Sequence, residues 1–128
     1  MTTTYTTAVT ADNLGPLTPA ALQVVLALAG GKAHGYGIMG FVSELTDGAV
    51  QLGPGTLYRT LARLATDGLV EEIPERHEDA PHDSRRRYYQ LTELGWRVAA
   101  KEAELLERLV EAAANAGLTS RSKRADTA

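Results

Sequence analysis

The chain contains no cysteine, which excludes disulfides, thiolate catalysis and every Cys-ligated zinc or iron–sulfur site. It has no run of about 18 apolar residues, so no transmembrane helix and no membrane role are expected. The opening stretch, MTTTYTTAVTADN, lacks both the basic and the apolar segment of a secretory signal, and a cytoplasmic location is expected. Serine is scarce. Ser43, Ser84, Ser120 and Ser122 are the full set, and none sits in a nucleophile elbow. The glycines at 30, 31, 35 and 37 fit neither a P-loop nor a dinucleotide fingerprint, because no Gly-Lys-Ser/Thr and no preceding strand accompany them. No buried carboxylate pair is evident. Neither an enzyme nor a cofactor is expected.

What remains is 128 residues, 44% hydrophobic and 23% charged, which is about one ordinary globular domain. A domain of that size is marginal by surface-to-volume scaling, and oligomerisation would help it. The net charge of −3 argues naively against nucleic acid. Its distribution matters more. Residues 71–83 carry −5, residues 53–70 carry +1 and residues 84–97 carry +3, so positive charge is concentrated beside an acidic stretch. Ten of the 13 cations are arginine, the residue that forks onto phosphates and guanine edges.

Residues 1–16 are Thr-rich, end in Gly15-Pro16 and are expected to be a mobile arm; residues 117–128 are expected to be a disordered tail. Thr18-Pro19 starts a helix, with Leu22, Val25, Leu26 and Ala29 on one apolar face and Gly30-Gly31 as its stop. A second helix follows His34-Gly35, where His34 is a capping or turn residue; Ile38, Phe41, Val42 and Leu45 form its inward face. A third begins near Pro54, faces inward through Leu57, Leu61 and Leu64, and ends at Asp67 with Gly68 as a left-handed cap. The period then changes. Residues 69–73 form a strand stopped by Pro74, residues 75–84 a polar loop, and residues 85–91 a second strand, a two-stranded hairpin with a long tip. Thr92 caps a last helix that runs to about Ala116. This order spells a winged helix-turn-helix, a mainly α fold with a β-hairpin wing (α+β) over residues 17–91, followed by a C-terminal dimerisation helix over 92–116.

Gly53-Pro54-Gly55-Thr56-Leu57-Tyr58-Arg59-Thr60-Leu61-Ala62-Arg63-Leu64 has the physics of a helix that enters a major groove by its N-terminus. Pro54 fixes the first turn, Gly55 permits close backbone approach, and the first-turn N–H groups favour an anion. With the leucines inward, Thr56, Arg59, Thr60 and Arg63 lie outward and Tyr58 flanks them, its hydroxyl within reach of a phosphate. Arg85, Arg86 and Arg87 then enter the wing strand and can straddle a phosphate backbone. The competing interpretation of each is a solvated polar face, and for the wing an edge strand whose cations pair with Glu71, Glu72 and Glu75.

Four stretches, Gly35-Tyr36-Gly37-Ile38, Leu52-Gly53-Pro54-Gly55-Thr56-Leu57-Tyr58, Asp67-Gly68-Leu69-Val70 and Arg86-Arg87-Tyr88-Tyr89-Gln90-Leu91-Thr92, resemble the PadR family of bacterial transcriptional regulators. The resemblance covers residues 17–116 and implies a short-tailed, homodimeric winged-helix repressor. Its third helix would read a two-fold operator in double-stranded DNA, and its wing would lie on the adjacent backbone. Gly53 stands where the family usually has a Ser or Thr cap, and Arg59 where proline is common. The resemblance also implies a flat aromatic or hydrophobic effector near the dimer interface, where Trp96 could stack on it. A tryptophan at a core position is the plainer explanation of the same residue.

The last helix points to a dimer independently. Trp96, Ala99, Ala103, Leu106, Val110 and Ala113 step by threes and fours as a heptad seam, and Leu105, Leu109 and Ala112 widen it. At ~1.5 Å per residue, 25 residues give a helix about 37 Å long, which overshoots so small a domain. The first helix is the candidate second surface: Leu22 and Val25 join the interface set, and Val24 and Leu28 lie off its main face. The residues His77, Glu78, Asp79, His82 and Asp83 are metal-ligand types, but no rigid helix fixes their spacing, and no metal is expected. A winged-helix module that binds protein rather than DNA is the alternative function.

Overall fold

The computed structural model describes residues 15–74 and 87–119. The N-terminal arm through residue 14, the tail from residue 120 and the whole stretch 75–86, including Arg85, Arg86 and the His77–Asp83 group, lie outside the described residues. Four helices and a small sheet follow in the order α1 (Pro19–Ala29), β1 (Ala33–His34), α2 (Gly35–Leu45), α3 (Pro54–Thr66), β2 (Val70–Pro74), β3 (Arg87–Leu91) and α4 (Glu93–Asn115). This is a winged helix. Among the described residues no helix is long and apolar enough to cross a membrane.

Local chemistry sets the helix ends. Thr18 accepts the Ala21 N–H on its hydroxyl at 3.2 Å, and Pro19 occupies the first position, where a missing N–H is harmless. His34 caps α2 through Nδ1, which accepts the Gly37 N–H at 3.0 Å. At the end of α3, Gly68 takes φ +80°, a conformation easy for glycine, and the Leu69 N–H donates back to the Leu64 carbonyl at 2.9 Å. The chain can therefore turn sharply from α3 into β2.

The sheet has three strands in the order β1-β3-β2, all antiparallel, with Val70 opposite Leu91 and Pro74 opposite Arg87. The sequence signalled only the hairpin. Strand β1 is two residues long, pairing Ala33 with Tyr89 and His34 with Tyr88, too short to leave a period-two pattern.

The core gathers Val24, Val25 and Leu28 of α1, Ile38 and Val42 of α2, Leu57, Leu61 and Leu64 of α3, and Leu69. Burying a side chain of this kind contributes about 1.5–3 kcal/mol. Two helix faces differ from expectation. In α1, Val24 and Leu28 are fully buried beside Val25, whereas Leu22, Leu26 and Ala29 are only half-buried. That helix is apolar nearly all round and packs on α2, α3, α4 and β3 together, so its sequence could not indicate which side lay deepest. In α2 the buried arc is Gly35, Ile38 and Val42, leaving Phe41 38% and Leu45 57% exposed. The arc 35, 38, 39, 42 satisfies the same helical spacing as 38, 41, 42, 45, and the packing of α1 decides between them.

Candidate nucleic-acid interface

Helix α3 divides cleanly into two faces. Leu57, Leu61 and Leu64 are at most 3% exposed, while Gly55, Thr56, Arg59 and Arg63 are exposed and Thr60 is half-buried. Its N-cap, Gly53, makes no side-chain capping bond. With no hydroxyl to accept them, the backbone N–H groups of Gly55 and Thr56 are presented to an external acceptor, and no atom lies near the position a Cβ on Gly55 would take. Arg59 donates to the Thr56 hydroxyl at 3.4 Å, a long bond between exposed side chains. Arg63 meets Asp67 through Nε at 3.6 Å, one turn on, close to the limit of an ion pair. The arrangement is two guanidinium groups and two hydroxyls on one face, above bare first-turn amides.

Tyr58 is placed differently from the expectation of a hydroxyl reaching outward. It remains 48% exposed, but its hydroxyl lies directly against Gly35 at the start of α2, where any Cβ would collide with it. Tyr58 therefore spaces α2 from α3. The signal was the glycine itself, which begins a helix where a better helix former would serve.

Of the three wing arginines only Arg87 lies among the described residues. Its Nε stands 3.4 Å from Glu72 across the β2–β3 pair, at a mostly exposed position. It also donates to the phenol of the neighbouring Tyr89, whose pKa is raised by burial first, with Glu72 and Tyr58 adding to the rise and Arg87 opposing it. Gln90 donates to Glu71 at 2.7 Å on the same strand pair. The acidic residues of β2 thus engage the base of the wing, and an exposed pair of this kind is worth only about 0–1 kcal/mol.

Helix α4 inverts the pattern of α3. The face it presents to its own domain holds Gly95, Val98 and Glu102, all buried. Trp96 (49%), Leu109 (57%) and Val110 (36%) are exposed, Ala103 is exposed, and Ala99, Leu106 and Ala113 are half-buried. Of the stepped apolar residues of the sequence, Trp96, Ala103 and Val110 are thus left uncovered by the protomer, while Ala99 packs against its core. Val25 does not join it. At 1% exposure it belongs to the core, as do Val24 and Leu28, while Leu22 is half-buried.

Two long-range contacts, Glu102 to Leu17 and Thr92 to Gly68, carried no sequence signal. Glu102, only 8% exposed, accepts the Leu17 N–H at 3.2 Å and so pins the chain ahead of α1 to α4 across 85 positions. Thr92 accepts the Gly95 N–H at 3.0 Å and donates to the Gly68 carbonyl at 2.6 Å, tying the start of α4 to the end of α3.

Comparison with known proteins agrees with this architecture. An uncharacterized 37.1 kDa protein in transposon TN4556 of Streptomyces fradiae is 36% identical over 90 residues, which is 70% of this chain and 24% of that protein. The chain therefore spans about a quarter of the length of that relative. A PadR-like transcription factor from Bacteroides fragilis superposes with a TM-score of 0.55 at 26% identity, over 72% of this chain and 84% of its own. The Bordetella bronchiseptica regulator BpsR, whose structure concerns regulation of its DNA binding by 6-hydroxynicotinic acid, matches with a TM-score of 0.60. At 20% identity, over 87% of this chain and 74% of that one, the likeness to BpsR is one of fold alone. The family model of PadR-like transcriptional regulators matches residues 24–101, a span that takes in α2, α3, the three-stranded sheet and the first turns of α4. By that match, the chain belongs to the PadR-like family of transcriptional regulators.

Proposed function

We propose that the protein is a homodimeric repressor that binds a two-fold site in double-stranded DNA and is released by a small aromatic or hydrophobic effector. The observation that carries the reading is the division of α3: its leucines are consumed by the core, and its cations and hydroxyls stand outward beside uncapped first-turn amides. In the proposed complex Thr56, Arg59, Thr60 and Arg63 face base edges and phosphates, and Gly55 lets the backbone approach. Arg85, Arg86 and Arg87 lie along the flanking backbone. Tyr58 supports the helix from behind. One helix and one wing offer few contacts, so a second copy is needed for affinity. The stepped residues Trp96, Ala99, Ala103, Leu106, Val110 and Ala113, of which Trp96, Ala103 and Val110 are exposed, supply the self-complementary surface, joined by half-buried Leu22 of α1. Trp96 offers an exposed ring on which a flat effector can stack. The regulation of BpsR by 6-hydroxynicotinic acid is in keeping with small-molecule control on this fold.

Selection of bound sequences from random duplexes with the purified protein tests the reading. The expected product is a pair of half-sites about one helical turn, or a multiple of it, apart. If the dimer neutralises six to ten phosphates, log K falls with log salt at a slope of about −5 to −9. Salt-insensitive binding, or a monomer on the duplex, sinks the proposal and favours a module that binds protein, for which exposed Tyr36, Phe41 and Leu45 on α2 would be the starting point.

A further inference from the structure

Helix α4 begins without a linker. Strand β3 ends at Leu91, Thr92 caps the helix and Glu93 is its first residue. The same threonine reaches back to the turn that closes α3. Its N–H donates to the Leu69 carbonyl at 3.0 Å. Its hydroxyl donates to the Gly68 carbonyl at 2.6 Å and accepts the Gly95 N–H at 3.0 Å. A hydroxyl has one proton, so that proton goes to Gly68 while a lone pair serves the cap. Gly68, at φ +80°, follows the last residue of α3, Thr66, by two positions. One turn into α4, Gly95 rests so closely on the Leu69 carbonyl that a Cβ would strike it. The end of α3 and the start of α4 therefore meet at one junction, bridged by one side chain.

Elsewhere α4 packs on α1 and β3, and α1 packs on α3 in turn. Apolar packing is non-directional and tolerates small tilts, whereas a short hydrogen bond is directional. The junction sits at the end of a long lever. Leu106, in the middle of the stepped residues of α4, is about 21 Å along the axis from Thr92 at ~1.5 Å per residue. A tilt of about 10° at Thr92 moves that point by about 4 Å, close to the ~3.4 Å rise of one base pair.

We propose that Thr92 is a positioning residue for DNA recognition: its bond to the Gly68 carbonyl fixes the angle between α3 and α4, and thereby the half-site spacing the dimer accepts. The proposal rests on the reading of α3 as the DNA helix and α4 as the dimer helix. Thr92 itself belongs to neither the DNA-facing set nor the stepped set.

Because the chain has no cysteine, Ala65→Cys at an exposed position of α3 carries one spin label per protomer. Dipolar electron resonance on the full chain then reads the distance between the two α3 helices of the dimer. Three substitutions separate the bonds of the hydroxyl. Thr92→Ser keeps both. Thr92→Asp keeps the cap, since a carboxylate accepts the Gly95 N–H, but has no proton for Gly68. Thr92→Val keeps the shape and loses both.

Thr92→Ser gives the narrow distance distribution of the parent. Thr92→Asp and Thr92→Val spread it by about 4 Å, the scale of the lever, while sedimentation still shows a dimer. In duplex selection the parent and Thr92→Ser favour one half-site spacing about tenfold over spacings one base pair longer or shorter. Thr92→Asp lowers that preference to about twofold. A Thr92→Asp dimer with the parent's distance and spacing preference reduces Thr92 to a helix cap and overturns the proposal. Thr92→Val decides on the same terms should Thr92→Asp unfold. A Thr92→Ser chain as disturbed as Thr92→Asp also overturns it. A spread distance with an unchanged spacing preference overturns the link from junction to spacing. A parent with no distance between labels is not a dimer, and the dimer reading falls together with the proposal. A parent with a narrow distance but no duplex binding overturns the DNA reading and the spacing with it, while the distances still decide the junction.

Discussion

Helices α3 and α4 are both amphipathic, and they dispose of their apolar faces in opposite ways. In α3 the leucine face is used up within the protomer, since Leu57, Leu61 and Leu64 are sealed in the core, and the long side chains left outside are Arg59, Arg63 and the half-exposed Tyr58. In α4 the domain takes Gly95, Val98 and Glu102, and Trp96, Leu109 and Val110 are left in solvent. A helix with a spent apolar face and a cationic outer face is suited to a polyanion. A helix with a surplus apolar stripe is suited to a second apolar surface. The same periodicity in sequence therefore supports two different roles, and only the packing separates them.

The sharpest way to break this comparison is to charge the surplus stripe. Leu106→Glu or Val110→Glu would place a desolvated, unpaired carboxylate in the proposed interface and is expected to cost several kcal/mol of association. Sedimentation should show monomer, or a poorly folded chain, and a parallel DNA titration should show loss of specific binding although neither residue touches DNA. A variant that stays dimeric removes the stripe from the interface. A folded monomer with full operator affinity breaks the link between symmetry and recognition.

A pair of glycine substitutions contrasts the two helices directly. At Gly95 an added Cβ would strike the Leu69 carbonyl, a backbone atom that cannot swing away. Gly95→Ala is expected to lower stability by about 1–3 kcal/mol in chemical denaturation. At Gly55 nothing stands in the way. Gly55→Ala should raise stability by about 0.5–1 kcal/mol through helix propensity, while it weakens DNA binding by obstructing backbone approach. Equal stability effects at the two positions would show that α4 is not seated as closely as α3 is open.

Within the proposed interface, Arg63→Ala or Thr56→Ala should lose about 1–3 kcal/mol on the selected operator and relax sequence preference. Arg86→Ala and Arg87→Ala should weaken operator and random duplex alike, Arg87 by less, because Glu72 and Tyr89 already engage its guanidinium. Equal losses on operator and random DNA from the helix variants would reverse the assigned roles of helix and wing.

The smallest effect concerns the sheet beneath both helices. The Tyr89 phenol is held above its ordinary value of 10.0, chiefly by burial. The folded protein keeps this proton to higher pH than the unfolded chain, so stability falls as pH rises above about 10. Tyr89→Phe should flatten the alkaline limb of a stability–pH curve and leave the neutral region little changed. An unaltered limb would remove Tyr89 from the account.

The sequence by itself determined what depends on neighbours along the chain. The hydroxyl caps at Thr18 and Thr92, the uncapped start at Gly53, the glycine stop at Gly68 and the leucine period of α3 are local signals, and each reappears in the structure where it was expected. Tertiary structure decided what depends on contacts between distant residues. It chose Val24 and Leu28 over Leu22 and Leu26 as the deep side of an almost wholly apolar helix. It turned the Tyr58 hydroxyl onto Gly35, added β1 to the wing sheet through two residues, and buried the Glu102 carboxylate against the Leu17 N–H. The reason is physical. Caps and periods are fixed by hydrogen bonds and side-chain directions a few residues apart, whereas the depth of a face is fixed by whatever other elements cover it.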